Sequence, residues 1–215
     1  MKNQIPPDFD ASFQGKLDDL LAWRRDVRRF RTQPIDPAVI EGLIATATLA
    51  PSVGNSQPWR FVLVEGAAPR AAIRANFQAA NAGALADYAG EQAKLYASLK
   101  LAGLKDAPVH LAVFADTGTC AGHGLGKKTM PETLAYSVVG AVNTLWLAAR
   151  AQGIGVGWVS ILDADQAAAD LKVPDGWRLV AYLCIGWPEE EHMDPELERH
   201  GWQDRLDIQD VIFRR

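Results

Sequence analysis

Apolar side chains recur along this chain with two different periods, and the changes of period mark its elements. Leu17, Leu20 and Leu21 fall at helical spacing between residues 16 and 25, which predicts a first helix running into a cluster of arginines. Asp36-Pro37 sets a capping carboxylate before a proline suited to the first helical position. Val39, Ile40, Leu43, Ile44 and Ala47 then mark one face, until Ala50-Pro51 stops the helix. A short strand is predicted over Arg60 to Glu65. An alanine-rich helix over 69–105 follows, interrupted near Gly83 and Gly90, and then a central strand over 109–116. Residues 132–152 carry the strongest helical pattern. Val138, Val139, Val142, Leu145, Trp146 and Ala149 spread over more than one side, as in a helix buried in a core or between subunits. Strands are predicted over 155–162 and 177–188, separated by a short helix that Asp163 caps. The tail regains alternation at Ile208, Val211 and Phe213. No repeat or linker breaks the series, so a single α+β domain over 16–215 is expected after an N-terminal arm over 1–15.

With 215 residues, 48% of them hydrophobic, the chain can bury one sizeable core. Its net charge of −4 argues against a nucleic-acid surface. No stretch approaches the roughly 20 apolar residues that span a bilayer, and the first residues lack the apolar core of a secretory signal. Cys120 and Cys184 are the only cysteines and form no CxxC pair, which points to a reduced, cytoplasmic setting. His110, His123, His192 and His200 lack metal-ligand spacing, so no metal is expected.

Against this acidic background, residues 24–31 hold five arginines around one aspartate, Asp26. Arginines closing a helix can simply complement its dipole, but this many exceed that need. Arginine also binds phosphate bidentately and keeps its charge when partly buried, so a phosphate site is the competing account. The loop APSVGNSQPW, 50–59, brings hydroxyls, amides and backbone N–H groups together between two prolines. It reads either as an ordinary turn or as a rim for a flat polar ring. Gly153-x-Gly155-x-Gly157 is not a dinucleotide fingerprint, because these glycines follow a helix and lead into a strand. A helix C-cap and turn accounts for them. Ser160 has no GxSxG elbow around it and is no hydrolase nucleophile.

Taken together, RRxxR after the first helix, SxxxSQPW before the first strand, the buried helix, GxGW and a basic residue in the tail resemble the FMN-binding nitroreductase family. The likeness runs from about residue 16 to the C-terminus. It narrows to the branch that destroys reduced FMN to make 5,6-dimethylbenzimidazole, through RRDVRRF, APSVGxxQPWRFV, HGLGKKTMPETLAYSVV and NTLWLAARAQGIGVGWVSIL. The resemblance implies a mixed, mainly antiparallel sheet flanked by helices, in an intertwined homodimer with flavin sites at the interface. It implies reduced FMN as substrate, dioxygen as co-substrate, erythrose 4-phosphate as second product, and a separate flavin reductase as supplier. Asp26 and Ser160 match the catalytic pair. Arg24, Arg25 and Arg28, with Val27 among them, match the segment facing phosphate and ring carbonyl, and Arg205 matches a tail residue reaching the phosphate. Ser52, Gly54 and Gln57 fall in the ring-contacting loop, while Leu101 touches the ring or lies in a lid. Residues 83–105 are the candidate lid, which would keep water from the site. Two other readings stay open at this point: a generic NAD(P)H:FMN oxidoreductase and a non-catalytic flavin carrier.

Overall fold

The computed structural model describes residues 6–86, 90 and 102–215. Leu101 and most of the candidate lid therefore lie outside the described residues. The elements are α1 (Ala11–Trp23), β1 (Phe30–Arg31), α2 (Pro37–Ala47), β2 (Trp59–Leu63), α3 (Ala67–Ala86), α4 (Gly103–Asp106), β3 (Val109–Asp116), α5 (Thr133–Arg150), β4 (Gly155–Val159), α6 (Ala164–Asp170), β5 (Trp177–Pro188) and α7 (Glu196–Arg199).

β5 is the spine of the sheet. β3 pairs along one of its edges, with β2 beyond, while β4 and β1 share the other edge, and all four ladders are antiparallel. The one parallel contact among the described residues is an isolated bridge between Asp26 and Val156, which lays the arginine segment along β4. Side chains alternate across a strand, so the sheet feeds two cores. Leu111, Val113, Leu183 and Ile185 face α2 and α5, whereas Ala112, Phe114, Tyr182 and Cys184 join Ile73 of α3, Leu104 of α4 and Ala167 of α6.

Local chemistry explains most boundaries. Asp36 caps α2 by accepting from the Ala38 N–H, and Asp163 caps α6 by accepting from Gln166. The first helix begins earlier than expected, inside the presumed arm, because Asp10 accepts from the Phe13 N–H and so satisfies an otherwise unpaired donor. Gly83 does not interrupt α3. One glycine costs a helix only about 1 kcal/mol, which an alanine-rich neighbourhood tolerates. The tail makes a single 3-10 turn, Ile208–Val211, rather than a strand. In α5, Leu134, Val138, Ala141, Val142, Leu145 and Ala149 form one buried stripe, while Tyr136, Val139 and Asn143 point outward. Val142 is wholly enclosed by its own chain's core, so its apolarity reports that core and not a subunit interface.

One buried polar pair crosses the second core. His110 Nδ1 lies 2.9 Å from the Tyr182 hydroxyl, and both residues are buried. Burial, reinforced by the charges of Arg70 and Arg74, pushes the imidazole down to about 4. The unfolded chain would take up this proton near 6.5, the folded protein only near 4. Stability from this site is thus complete above pH 6.5 and lost as pH falls toward 4, by roughly 3 kcal/mol. Urea unfolding at pH 7 and pH 4.5 should show that loss in the wild type and a smaller one in His110→Gln. Parallel losses would mean that His110 does not drive it.

Candidate functional site

The arginine segment is held against the sheet by its backbone. The Val27 N–H donates to the Val156 carbonyl at 3.0 Å, and Trp146 Nε1 of α5 donates to the Arg25 carbonyl at 3.3 Å. Two glycines permit this approach. A Cβ on Gly157 would lie 2.1 Å from the Val27 carbonyl oxygen, and one on Gly155 would lie 2.8 Å from the Val27 side chain. Only Gly153, with a φ of +73°, serves as the expected helix terminator. Gly155 and Gly157 lie within β4 and make room for the site segment, which spacing alone does not reveal.

Asp26 sits at the centre of this arrangement. Its Oδ1 accepts from the Trp158 N–H at 2.9 Å, and its Oδ2 lies 3.4 Å from Arg28 Nε. About a third of the side chain, 36%, stays open toward a cleft. Burial is the largest influence on the carboxyl and pushes it above the usual carboxylate range, with the Trp158 N–H and Arg28 pulling the other way. Arg28 favours the ionised form, but desolvation outweighs it. Ser160 follows Trp158 by two residues, so the Asp26 anchor lies only about 7 Å along the chain from Ser160. Ser160 itself is exposed just past β4 and does not line the cleft.

The arginines divide into two groups. Arg28 pairs with Asp26 and, at 3.8 Å, with Glu196, while Arg29 pairs with Glu190 and Glu196, and Arg150 with Glu191. Arg24 and Arg25 have no carboxylate within ion-pair distance among the described residues. Arg24 stacks 5.1 Å from the centroid of the Trp146 ring. Arg25 donates to the carbonyls of Met193 and Arg24. Burial, then the charges of Arg205 and Arg24, press its guanidinium below the usual arginine range. Three cations thus converge from two ends of the chain, since Arg205 belongs to the exposed tail and pairs loosely with Glu198 at 3.7 Å. Such a set, beside Trp146 and Trp158, fits the phosphate of a planar ligand.

Loop 52–57 lies elsewhere in the protomer. Ser52 Oγ accepts from the Gln57 N–H, Gln57 has a positive φ of 45°, and Gly54 packs on residues 122–125. The Val53 N–H donates to Ser137 of α5, nine residues from Trp146 and hence about 13 Å along the helix. One chain therefore does not bring Ser52, Gly54 and Gln57 together with Arg24, Arg25 and Asp26. Sequence reasoning also missed the acidic residues 189–198, which hold six carboxylates, five of them paired with arginines among the described residues. Their charge, opposite to that of the arginine run, was the available signal. Among the described residues no helix is long and apolar enough to cross a membrane, and no group of three His, Cys, Asp or Glu side chains could hold a metal ion.

The sequence model of the nitroreductase family matches residues 21–187. A 5,6-dimethylbenzimidazole synthase of Rhodospirillum rubrum is 60% identical over 93% of this chain and 94% of its own length. A 5,6-dimethylbenzimidazole synthase of Rhodobacter capsulatus is 51% identical over 92% of this chain and 96% of its own. Among solved structures, an iodotyrosine deiodinase bound to FMN and 3-iodo-L-tyrosine is 25% identical, with a TM-score of 0.71 and coverage of 92% and 97% of the two chains. A nitroreductase from Exiguobacterium sibiricum in complex with FMN shares the fold at a TM-score of 0.67, with 19% identity and 99% coverage of both chains.

Proposed function

The chain belongs to the nitroreductase family, and from that premise we propose that it converts reduced FMN and dioxygen into 5,6-dimethylbenzimidazole, the lower ligand of cobalamin, and erythrose 4-phosphate, with the pyrimidine portion of the ring leaving as a third fragment that carries the oxygen. The observation that carries this reading is the placement of Asp26, a half-open carboxylate fixed by the backbone of the strand that leads to Ser160. A flavin that is merely reduced and reoxidised has no need of a carboxylate there. The two relatives named for dimethylbenzimidazole synthesis support the same reading.

Reduced FMN, when bound, supplies both the electrons that activate dioxygen and the carbon skeleton of the product. The rest falls to side chains of this protein. Arg24, Arg25 and Arg205 hold the phosphate, and Arg28 sets the orientation of Asp26. The Asp26 carboxylate moves a proton at the ribityl carbon next to the ring, and the Ser160 hydroxyl orients that exchange by donating or accepting a hydrogen bond. Because no nicotinamide is consumed in this reaction, a separate flavin reductase supplies the reduced FMN.

The complete site belongs to a homodimer, in which loop 52–57 of one protomer faces the arginine segment of the other. Three surfaces support this assembly. Helix α1 buries no residue in its own chain, β2 is an edge strand, and Leu206, Ile208, Val211, Ile212 and Phe213 of the tail are exposed. Ile208→Asp combined with Phe213→Asp should yield a folded monomer with weakened FMN binding, read by light scattering and flavin titration. An unchanged dimer would place the interface elsewhere.

Aerobic incubation with reduced FMN, followed by chromatography, tests the function. Appearance of 5,6-dimethylbenzimidazole is expected. Steady NADH oxidation with flavin retained would make the protein an ordinary flavin oxidoreductase, and unchanged flavin would make it a carrier.

A further inference from the structure

Arg28 stands between two carboxylates. Its side chain is only 12% exposed, and its Nε lies 3.4 Å from Asp26 Oδ2 and 3.8 Å from Glu196 Oε2. Glu196 comes from α7, far along the chain, and is itself 11% exposed. It also reaches Arg29 Nη1 at 3.5 Å and His200 Nε2 at 3.8 Å. A single Nε–H can be given fully to one acceptor only, so Glu196 competes with Asp26 for Arg28.

We propose that Glu196 is a positioning residue for Asp26: by sharing Arg28 and adding a second negative charge to the cleft, it keeps the Asp26 carboxylate under-compensated and able to accept a proton. This rests on the reading of Asp26 as the proton-transfer group. The surroundings of Asp26 leave few other candidates. It accepts from the Trp158 N–H of β4 and pairs with Arg28 of its own segment, while the charge of Glu196 from α7 and the Cys184 thiol of β5 lie close enough to interact with it electrostatically. The thiol stays protonated, pushed up to about 12 mainly by burial. Arg29, Arg150, Glu190, Glu191, His192, Asp194 and Arg199 line the same cleft, with Glu190 and Glu191 engaged by Arg29 and Arg150 and Asp194 by Arg199. Glu196 is the one acid among them that pushes the Asp26 carboxyl upward, in the same direction as burial.

The test follows the Asp26 carboxyl by carbon NMR in the full chain, its resonance assigned by loss in Asp26→Asn. Glu196→Gln and Glu196→Ser, read side by side so that a folding defect in either does not decide the matter, should move the Asp26 midpoint to lower pH. Glu196→Asp should restore it. The limb of the pH profile for 5,6-dimethylbenzimidazole formation that reports Asp26 should move the same way. An unchanged midpoint in folded Glu196→Gln or Glu196→Ser overturns the role of Glu196 and leaves that of Asp26 intact. A wild-type yield from Asp26→Asn overturns instead the reading of Asp26, and the proposal with it.

Discussion

Asp26→Asn should fold, bind FMN and return it intact, with 5,6-dimethylbenzimidazole formation reduced on the order of a hundred- to ten-thousandfold. The amide keeps the shape of the carboxylate and can still accept from the Trp158 N–H through its oxygen, so the anchor at 2.9 Å survives. What it loses is the ability to take up and release a proton. Were Asp26 only a counter-ion to Arg28, the cost would fall on stability and not on turnover, because the pair, at 3.4 Å with Arg28 only 12% exposed, is partly buried. Ser160→Ala should show the same defect in milder form, because a hydroxyl chiefly orients and a water can replace it. Product yield per reduced FMN supplied separates the cases, and a near-wild-type yield from Asp26→Asn would leave the aspartate a counter-ion.

Arg205→Ala should weaken FMN ten- to a hundredfold while leaving riboflavin, which has no phosphate, almost unaffected. Loss of one charge-assisted hydrogen bond costs about 1.5–3 kcal/mol, which converts to that range of affinity. The side chain is 68% exposed and its one ion pair among the described residues is the 3.7 Å contact with Glu198, so the fold should not notice the change. Arg205 stands close enough to Arg25 for its charge to press that guanidinium downward, so both could face one phosphate. Titrating both ligands by fluorescence gives the comparison, and equal losses would remove Arg205 from the phosphate site.

The elements were legible wherever local chemistry decides them. Asp36-Pro37 and Asp163 announced their helices, and the apolar runs at 109–116 and 177–188 coincide with β3 and β5. Asp26 and the arginines stood out as a candidate cluster because five like charges within eight residues exceed what a helix end needs. What was hidden depends on contacts between distant segments. The roles of Gly155 and Gly157 appear only when Val27 lies on β4. The partners of Arg28, Arg29 and Arg150 lie some 40 to 170 residues away in the chain, in residues 190–196. The raised carboxyl of Asp26 follows from burial, which spacing cannot foretell. The sequence left Val142 open between core and interface because apolarity is the same signal whether a residue faces its own core or a partner.

The most direct measurement is a molar balance. Purified protein incubated in air with a known amount of reduced FMN should lose one FMN for each 5,6-dimethylbenzimidazole and each erythrose 4-phosphate formed. Full recovery of FMN with neither product would contradict the account.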